Sequence, residues 1–247
     1  MNTSDTKFDL GRKRFQCVLD EWRRLIPQHQ WILRLGKDSI EDVDPAYANA
    51  VLPAIGLLDD ESWQVMRRNV AERYNTGNDG GGRGSHQVFD LLDEALAYQH
   101  LVDMGFEDVR LQPRLKAKGV TSPDIRFFTR GRQYCCEVKS IGESDANHKL
   151  FEEQSGFDPR IYERLDDQFF AKLNDVIKVA RNQIARSGLE GLVYLIVRFD
   201  DFTGRYASTY RGQIDAFFDE QPLKDNVIVR FGRNSFMQPI IRIQKLH

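Results

Sequence analysis

The sequence predicts an α/β fold in which a mixed β-sheet is flanked by helices and preceded by a helical N-terminal region. Three observations support this class. Residues 85–105 carry apolar side chains at helical spacing. Residues 125–136 form two apolar half-strands around a polar turn. The apolar run at 192–199, LVYLIVRF, is typical of a fully buried strand. We therefore expect helices on both faces of a mixed sheet.

Residues 1–75 are predicted to be mainly helical. One helix is expected at 8–26, where apolar residues recur at helical spacing up to Pro27. A second is expected at 59–74, with acidic residues at its start and basic residues toward its end, as the helix dipole favours. Pro45 and Pro53, each with the residue before it, are predicted to interrupt regular structure between these helices.

A glycine-rich run separates this region from the rest of the chain. Residues 76–84 lack the GxxxxGK[ST] pattern of a phosphate-binding loop and follow no predicted strand, so a flexible linker is expected. The main domain is then 85–247. The helical region before the linker is a candidate docking site for a partner protein.

The second half of the chain adds further helices and strands. A long helix is predicted from Pro159 to Ser187, with a buried stripe that includes Phe169, Leu173 and Ile177. A shorter helix is expected at 209–220. Two terminal strands, VIVRF and IIRIQ, are expected to follow.

The strongest chemical signal lies at the ends of the hairpin. If residues 125–136 fold as a hairpin with Arg130 and Gly131 in the turn, Asp124 lies opposite Glu137, because the two acids are equally far from that turn along the chain. Directly opposite residues share a face, with side chains about 5 Å apart. Lys139 is two residues beyond Glu137 and projects from the same face. Two carboxylates and one ammonium are therefore expected to converge.

This set of side chains suits metal-assisted phosphodiester hydrolysis. Mg²⁺ binds hard oxygen ligands, usually one or two carboxylates with waters and phosphate oxygens. A bound metal activates water and polarises the phosphoryl group, and a nearby lysine can orient that water or offset negative charge. We expect Mg²⁺ as the cofactor, with Mn²⁺ as a substitute. The alternative interpretation is a turn aspartate and a weak surface ion pair.

Pro123-Asp124 followed by Glu137-Val138-Lys139 resembles the signature of the PD-(D/E)XK nuclease superfamily. The resemblance covers residues 85–199. It implies a restriction-endonuclease-like fold, whose core is a helix, a three-stranded meander carrying the motif, a second helix and a fourth strand. It also implies an acidic residue from the first helix. Glu94 fits that role, and Asp90, one turn earlier on the same face, is the alternative.

The resemblance implies a Mg²⁺-dependent nuclease that acts on DNA in host defence or DNA repair. Asp124, Glu137 and Glu94 would hold the metal, and Lys139 would position the attacking water. The chain departs from the exonuclease branch, since it lacks the QxxxY pattern at the matching place. A non-catalytic nucleic-acid-binding or assembly module with the same fold is the alternative function.

Net charge and composition limit which parts of the surface are expected to bind nucleic acid. The formal net charge is −2, from 35 basic and 37 acidic residues, so any surface that binds nucleic acid must be local. Three basic residues alternate just before the motif strand, where a phosphate backbone would pass, and a fourth lies on the predicted second core helix. These candidates for nucleic-acid binding are Arg114, Lys116, Lys118 and Lys172.

The expected compartment is the cytoplasm. No window approaches 18 consecutive apolar residues, and the N-terminus lacks the apolar core of a signal peptide, so no membrane partner is expected. Cys17, Cys135 and Cys136 have no metal-ligand spacing, which suits a reducing environment and argues against an iron–sulfur nuclease.

Overall fold

A computed structural model of the chain describes residues 3–25, 35, 38–73, 84–114, 122–141, 164–198, 207–220, 226–231, 238–243 and 246. The helices are α1 (Thr3–Leu25), α2 (Ile40–Val43), α3 (Pro45–Leu57), α4 (Asp60–Arg73), α5 (Gly84–Asp103), α6 (Asp167–Arg186) and α7 (Ala207–Glu220). The strands are β1 (Glu107–Leu111), β2 (Ile125–Thr129), β3 (Arg132–Ile141), β4 (Gly191–Val197), β5 (Val227–Phe231) and β6 (Ile240–Arg242).

The strands form one six-stranded sheet in the order β1-β2-β3-β4-β5-β6. The sheet is mixed, because β4 and β5 are parallel whereas β1–β2, β2–β3 and β5–β6 are antiparallel. Helices pack against it, α5 on β1 and α6 on β4. The predicted α/β class, with a mixed sheet flanked by helices and helices at the N-terminus, is therefore confirmed.

The chain divides into two compact units, Met1–Cys136 and Glu137–His247. The first unit contains α1 to α5, β1, β2 and the first half of β3, and the second contains the remaining elements. Within the first unit, α3 and α4 both pack on α5, and α4 also packs on β1. Of the predicted linker at 76–84, residues 76–83 lie outside the described residues, and Gly84 begins α5.

The two prolines do not act alike in α3. Pro45 is the first helical residue, where its missing N–H costs nothing, and Asp44 caps the helix by accepting the Tyr47 N–H at 3.1 Å. The prediction that Pro53 interrupts regular structure is wrong, because α3 continues through it to Leu57. Most of this helix is buried, and packing against α1 and α5 compensates for the lost backbone hydrogen bond.

The hairpin of β2 and β3 has the expected register. Ile125 pairs with Cys136 and Thr129 with Arg132, which leaves Arg130 and Gly131 in a two-residue turn. Their φ angles are +50° and +73°, as two-residue turns that match the strand twist require. The predicted turn is therefore confirmed.

In the second unit, α6 begins later than predicted. Asp166 caps the helix by accepting the Phe169 N–H at 2.7 Å, and the residues from 164 to 166 are not helical. The start predicted at Pro159 lies outside the described residues. The predicted stripe is confirmed at the buried Phe169, Leu173 and Ile177. None of the described helices has both the length and the apolar character that a membrane span needs.

Candidate functional site

In the first unit, Arg114 lies close to two of the acids predicted to form the site, Glu94 and Asp124. Leu111 at the end of β1 pairs with Ile125 at the start of β2, and the Gln112 N–H donates to the Asp124 carbonyl at 2.9 Å. Arg114 and Asp124 therefore lie at the same end of this strand pair. The Arg114 side chain donates to Glu94 of α5, with 2.7 Å between Nη2 and Oε1. The same nitrogen lies 4.0 Å from Asp124 Oδ1.

The acids around Arg114 determine the direction in which its pKa shifts. Glu94 is buried and Asp124 is partly buried. Burial by itself lowers the pKa of Arg114, but the charges of Glu94, Asp124 and Asp90 and the hydrogen bond to Glu94 outweigh it and raise that pKa above the ordinary value. The guanidinium therefore stays protonated. Asp90 acts on Arg114 through its charge, whereas Glu94 also makes a direct ion pair.

The second unit brings Glu137 and Lys139 together. They are two residues apart on β3, so both project from one face of the strand. Lys139 Nζ lies 2.5 Å from Glu137 Oε1. The Glu137 side chain is 2% exposed and that of Lys139 is 25% exposed. The ammonium is thus held over a buried carboxylate and stays within reach of solvent.

The predicted nucleic-acid contacts have different positions. Lys116 and Lys118 lie outside the described residues. Lys172 is exposed on α6. Arg114 contacts the predicted acids themselves, a role that its position in an alternating basic run did not indicate.

The described residues contain no group of three or more His, Cys, Asp or Glu side chains arranged to hold a metal. The donor chemistry of the first unit nevertheless fits a hard cation. Glu94 and Asp124 each have a carboxylate oxygen within 4.0 Å of the same cationic nitrogen. Mg²⁺ commonly binds through one or two carboxylates and completes its shell with waters and phosphate oxygens.

Sequence reasoning missed a polar network that joins α4, α5 and β1. Asp59 accepts hydrogen bonds from the Ser62 N–H at 2.9 Å and from the Tyr98 hydroxyl at 2.8 Å. It also pairs with Arg110 at 2.8 Å. The Ser62 hydroxyl in turn accepts the Leu111 N–H at 3.1 Å. An aspartate three residues before a serine at a helix start is the one local signal that could have predicted part of it.

The hydrogen bonds of this network shift the pKa values of Tyr98 and Asp59. Burial, together with the hydrogen bond to the Asp59 carboxylate and its charge, raises the pKa of Tyr98 to about 12. Burial of Asp59 opposes its ionisation, but hydrogen bonds from Ser62 and Tyr98 and the charge of Arg110 lower its pKa overall. Tyr98 lies one turn after Glu94 on the same face of α5. The network therefore helps to hold the helix that presents Glu94.

Comparison with protein families, with curated proteins and with solved structures gives no match for this chain.

Proposed function

We propose that the chain is a metal-dependent nuclease of the restriction-endonuclease-like fold that hydrolyses phosphodiester bonds in DNA. One observation carries the proposal. Glu94 and Asp124 are far apart in the sequence, yet both approach the same nitrogen of Arg114 within 4.0 Å. They are the two acids that the motif and the preceding helix were expected to supply.

The order of elements supports the proposal. A helix (α5), a three-stranded antiparallel meander (β1, β2 and β3), a second helix (α6) and a further strand (β4) follow one another. This is the order of the core that the motif resemblance implies. The order alone is compatible with other functions, because folds carry many activities.

The hairpin register also supports it. Cys136 pairs with Ile125 on β2, Glu137 is the next residue of β3, and Asp124 directly precedes Ile125. The expectation from the sequence that Asp124 lies opposite Glu137 depends on this turn and this register. Side chains at opposite positions of an antiparallel pair share a face.

Each residue has a role in the proposed reaction. Glu94, Asp124 and Glu137 would hold Mg²⁺, with Mn²⁺ as a substitute. When bound, the metal would lower the pKa of a coordinated water and act as a Lewis acid toward the phosphate. Lys139, which Glu137 holds at 2.5 Å, would orient the attacking water and offset charge that develops on the phosphate.

One observation favours the second candidate, a non-catalytic nucleic-acid-binding or assembly module. Arg114 and Lys139 already neutralise Glu94 and Glu137, so the charged side chains form stable ion pairs on their own. Such pairs need no turnover to explain them. The two candidates differ in cleavage and in metal-linked stabilisation.

The test is a cleavage assay with supercoiled plasmid, linear duplex, single-stranded DNA and RNA in Mg²⁺ or Mn²⁺, with EDTA as the metal-free control. Asp124→Ala and Lys139→Ala are expected to abolish cleavage while the protein stays folded by circular dichroism. Asp175→Ala and Lys178→Ala are the matched controls, because these two residues form an exposed pair on α6. Both controls should cleave like the wild type.

The outcomes separate the candidates. Wild-type cleavage that survives in folded Asp124→Ala would overturn the site assignment. If the wild type cuts no substrate and neither metal raises its melting temperature, the non-catalytic module becomes the better description.

A further inference from the structure

Arg114 occupies the position that the proposed function gives to a metal. Its Nη2 lies 2.7 Å from Glu94 Oε1 and 4.0 Å from Asp124 Oδ1. Its backbone N–H donates to the buried Asn69 side chain at 3.4 Å, which ties this end of β1 to α4. The backbone beneath the guanidinium is therefore anchored.

Burial explains why a cation is needed there. The Glu94 side chain is 3% exposed. A buried carboxylate is costly unless an opposite charge and hydrogen bonds compensate for its lost hydration. Arg114 supplies both, because its Nη2 forms an ion pair and a hydrogen bond with Glu94 Oε1 at 2.7 Å.

A divalent metal would compete with this arrangement. Mg²⁺ binds carboxylate oxygens at about 2.0–2.1 Å. A metal on the Glu94 oxygen that Arg114 contacts would therefore lie close to the guanidinium, and like charges at such distances repel strongly away from bulk water. The side chain of Arg114 is 41% exposed, so it has a route toward solvent.

We propose that Arg114 is a tethered counter-cation that competes with the divalent metal for Glu94 and Asp124, so that metal binding releases the guanidinium. This rests on the proposed function, because it requires these acids to be metal ligands. Without metal, Arg114 stabilises the buried carboxylate. With metal, the released guanidinium is free for a phosphate, whose oxygens it binds in a bidentate manner.

The test measures Mn²⁺ binding directly, by calorimetry and by electron paramagnetic resonance, in the full chain. Arg114→Gln is expected to bind Mn²⁺ at least about tenfold more tightly than the wild type, a difference of about 1.4 kcal/mol. Arg114→Lys keeps the charge and should stay near the wild type. Arg12→Gln is the matched control, because Arg12 is 54% exposed and pairs with other acids, Asp9 and Glu41.

Melting temperatures provide a second readout. Without metal, Arg114→Gln should melt below the wild type, because Glu94 loses a counter-charge. Saturating Mn²⁺ should raise its melting temperature by more than it raises that of the wild type, since tighter binding to the folded state stabilises it more. Adding Asp124→Ala to Arg114→Gln should remove the gain in affinity.

The two proposals fail in different ways. If Arg114→Gln is less stable but binds Mn²⁺ no more tightly than the wild type, Arg114 is only structural and the inference is overturned, while the nuclease proposal survives. If neither folded protein binds Mn²⁺, both the metal site and the inference are overturned. Equal gains in affinity in Arg114→Gln and Arg12→Gln would indicate a general charge effect and would also refute the inference.

Discussion

The crossing of α1 and α3 allows a sharp prediction about the scaffold that supports Glu94. Gly11 of α1 and Gly56 of α3 lie where the two helix backbones meet. A Cβ atom built on Gly11 would lie 1.8 Å from the Leu52 carbonyl oxygen, and one on Gly56 would lie 1.9 Å from the Lys7 carbonyl oxygen. Both neighbours are backbone atoms, so no side chain can move aside. We expect Gly11→Ala to destabilise the protein.

The size of the effect follows from the distances. Ordinary contact with a Cβ atom begins at 3.4 Å, so the backbones must separate by roughly 1.6 Å at this point. Overpacking of a core typically costs about 1–3 kcal/mol, and we expect the upper end because the obstacle is backbone. For a chain of this size, about 3 kcal/mol lowers the melting temperature by roughly 6–12 °C.

The assay is thermal unfolding followed by circular dichroism. Gly212→Ala is the matched control, because Gly212 lies in α7 with no atom within 4 Å of its added Cβ. That substitution should stabilise the protein by up to about 1 kcal/mol, since alanine favours a helix more than glycine does. A Gly11→Ala protein that melts at or above the wild type would refute the reasoning.

Two further predictions concern hydrogen bonds to carboxylates. Tyr98→Phe should lower the free energy of unfolding by about 1.5–3 kcal/mol at neutral pH, because Asp59 loses a buried donor. Because folding raises the pKa of Tyr98, its protonated hydroxyl stabilises the fold below pH 10, and that contribution should be lost as the pH rises to about 12. Urea unfolding should therefore show the stability difference between Tyr98→Phe and the wild type shrinking across this window. A constant difference would contradict this prediction. Asp166→Ala should cost about 0.5–2 kcal/mol by removing the cap of α6, while Asp166→Asn should cost much less. Equal losses for both in denaturant titrations would show that the cap is not the cause.

Much of the fold could be predicted because its signals are local. The turn at Arg130 and Gly131 follows from a polar break between two apolar half-strands, and the symmetric register follows from the turn. The buried stripe of α6 follows from helical periodicity, because side chains three and four residues apart share a face. The helix break expected at Pro53 failed because tertiary packing of a buried helix outweighed a local rule.

The candidate site could be predicted only in part. Glu137 and Lys139 are two residues apart on one strand, so their contact follows from strand geometry alone. Arg114 was expected to meet a phosphate backbone, and its position beside Glu94 and Asp124 was not expected. The alternating basic residues at 114–118 do not by themselves indicate which acidic side chains contact them in the folded protein.

The sequence by itself determined the class of fold and the hairpin, and it contains the residue types on which the proposed metal-assisted hydrolysis depends. These depend on periodicity and turn preference, which act over a few residues. The tertiary structure alone decided which charges neutralise one another, as in the pair of Glu94 with Arg114 and the network around Asp59. Such pairs join residues distant along the chain. Their energies depend on burial and on distances of a few ångströms, which no local pattern encodes.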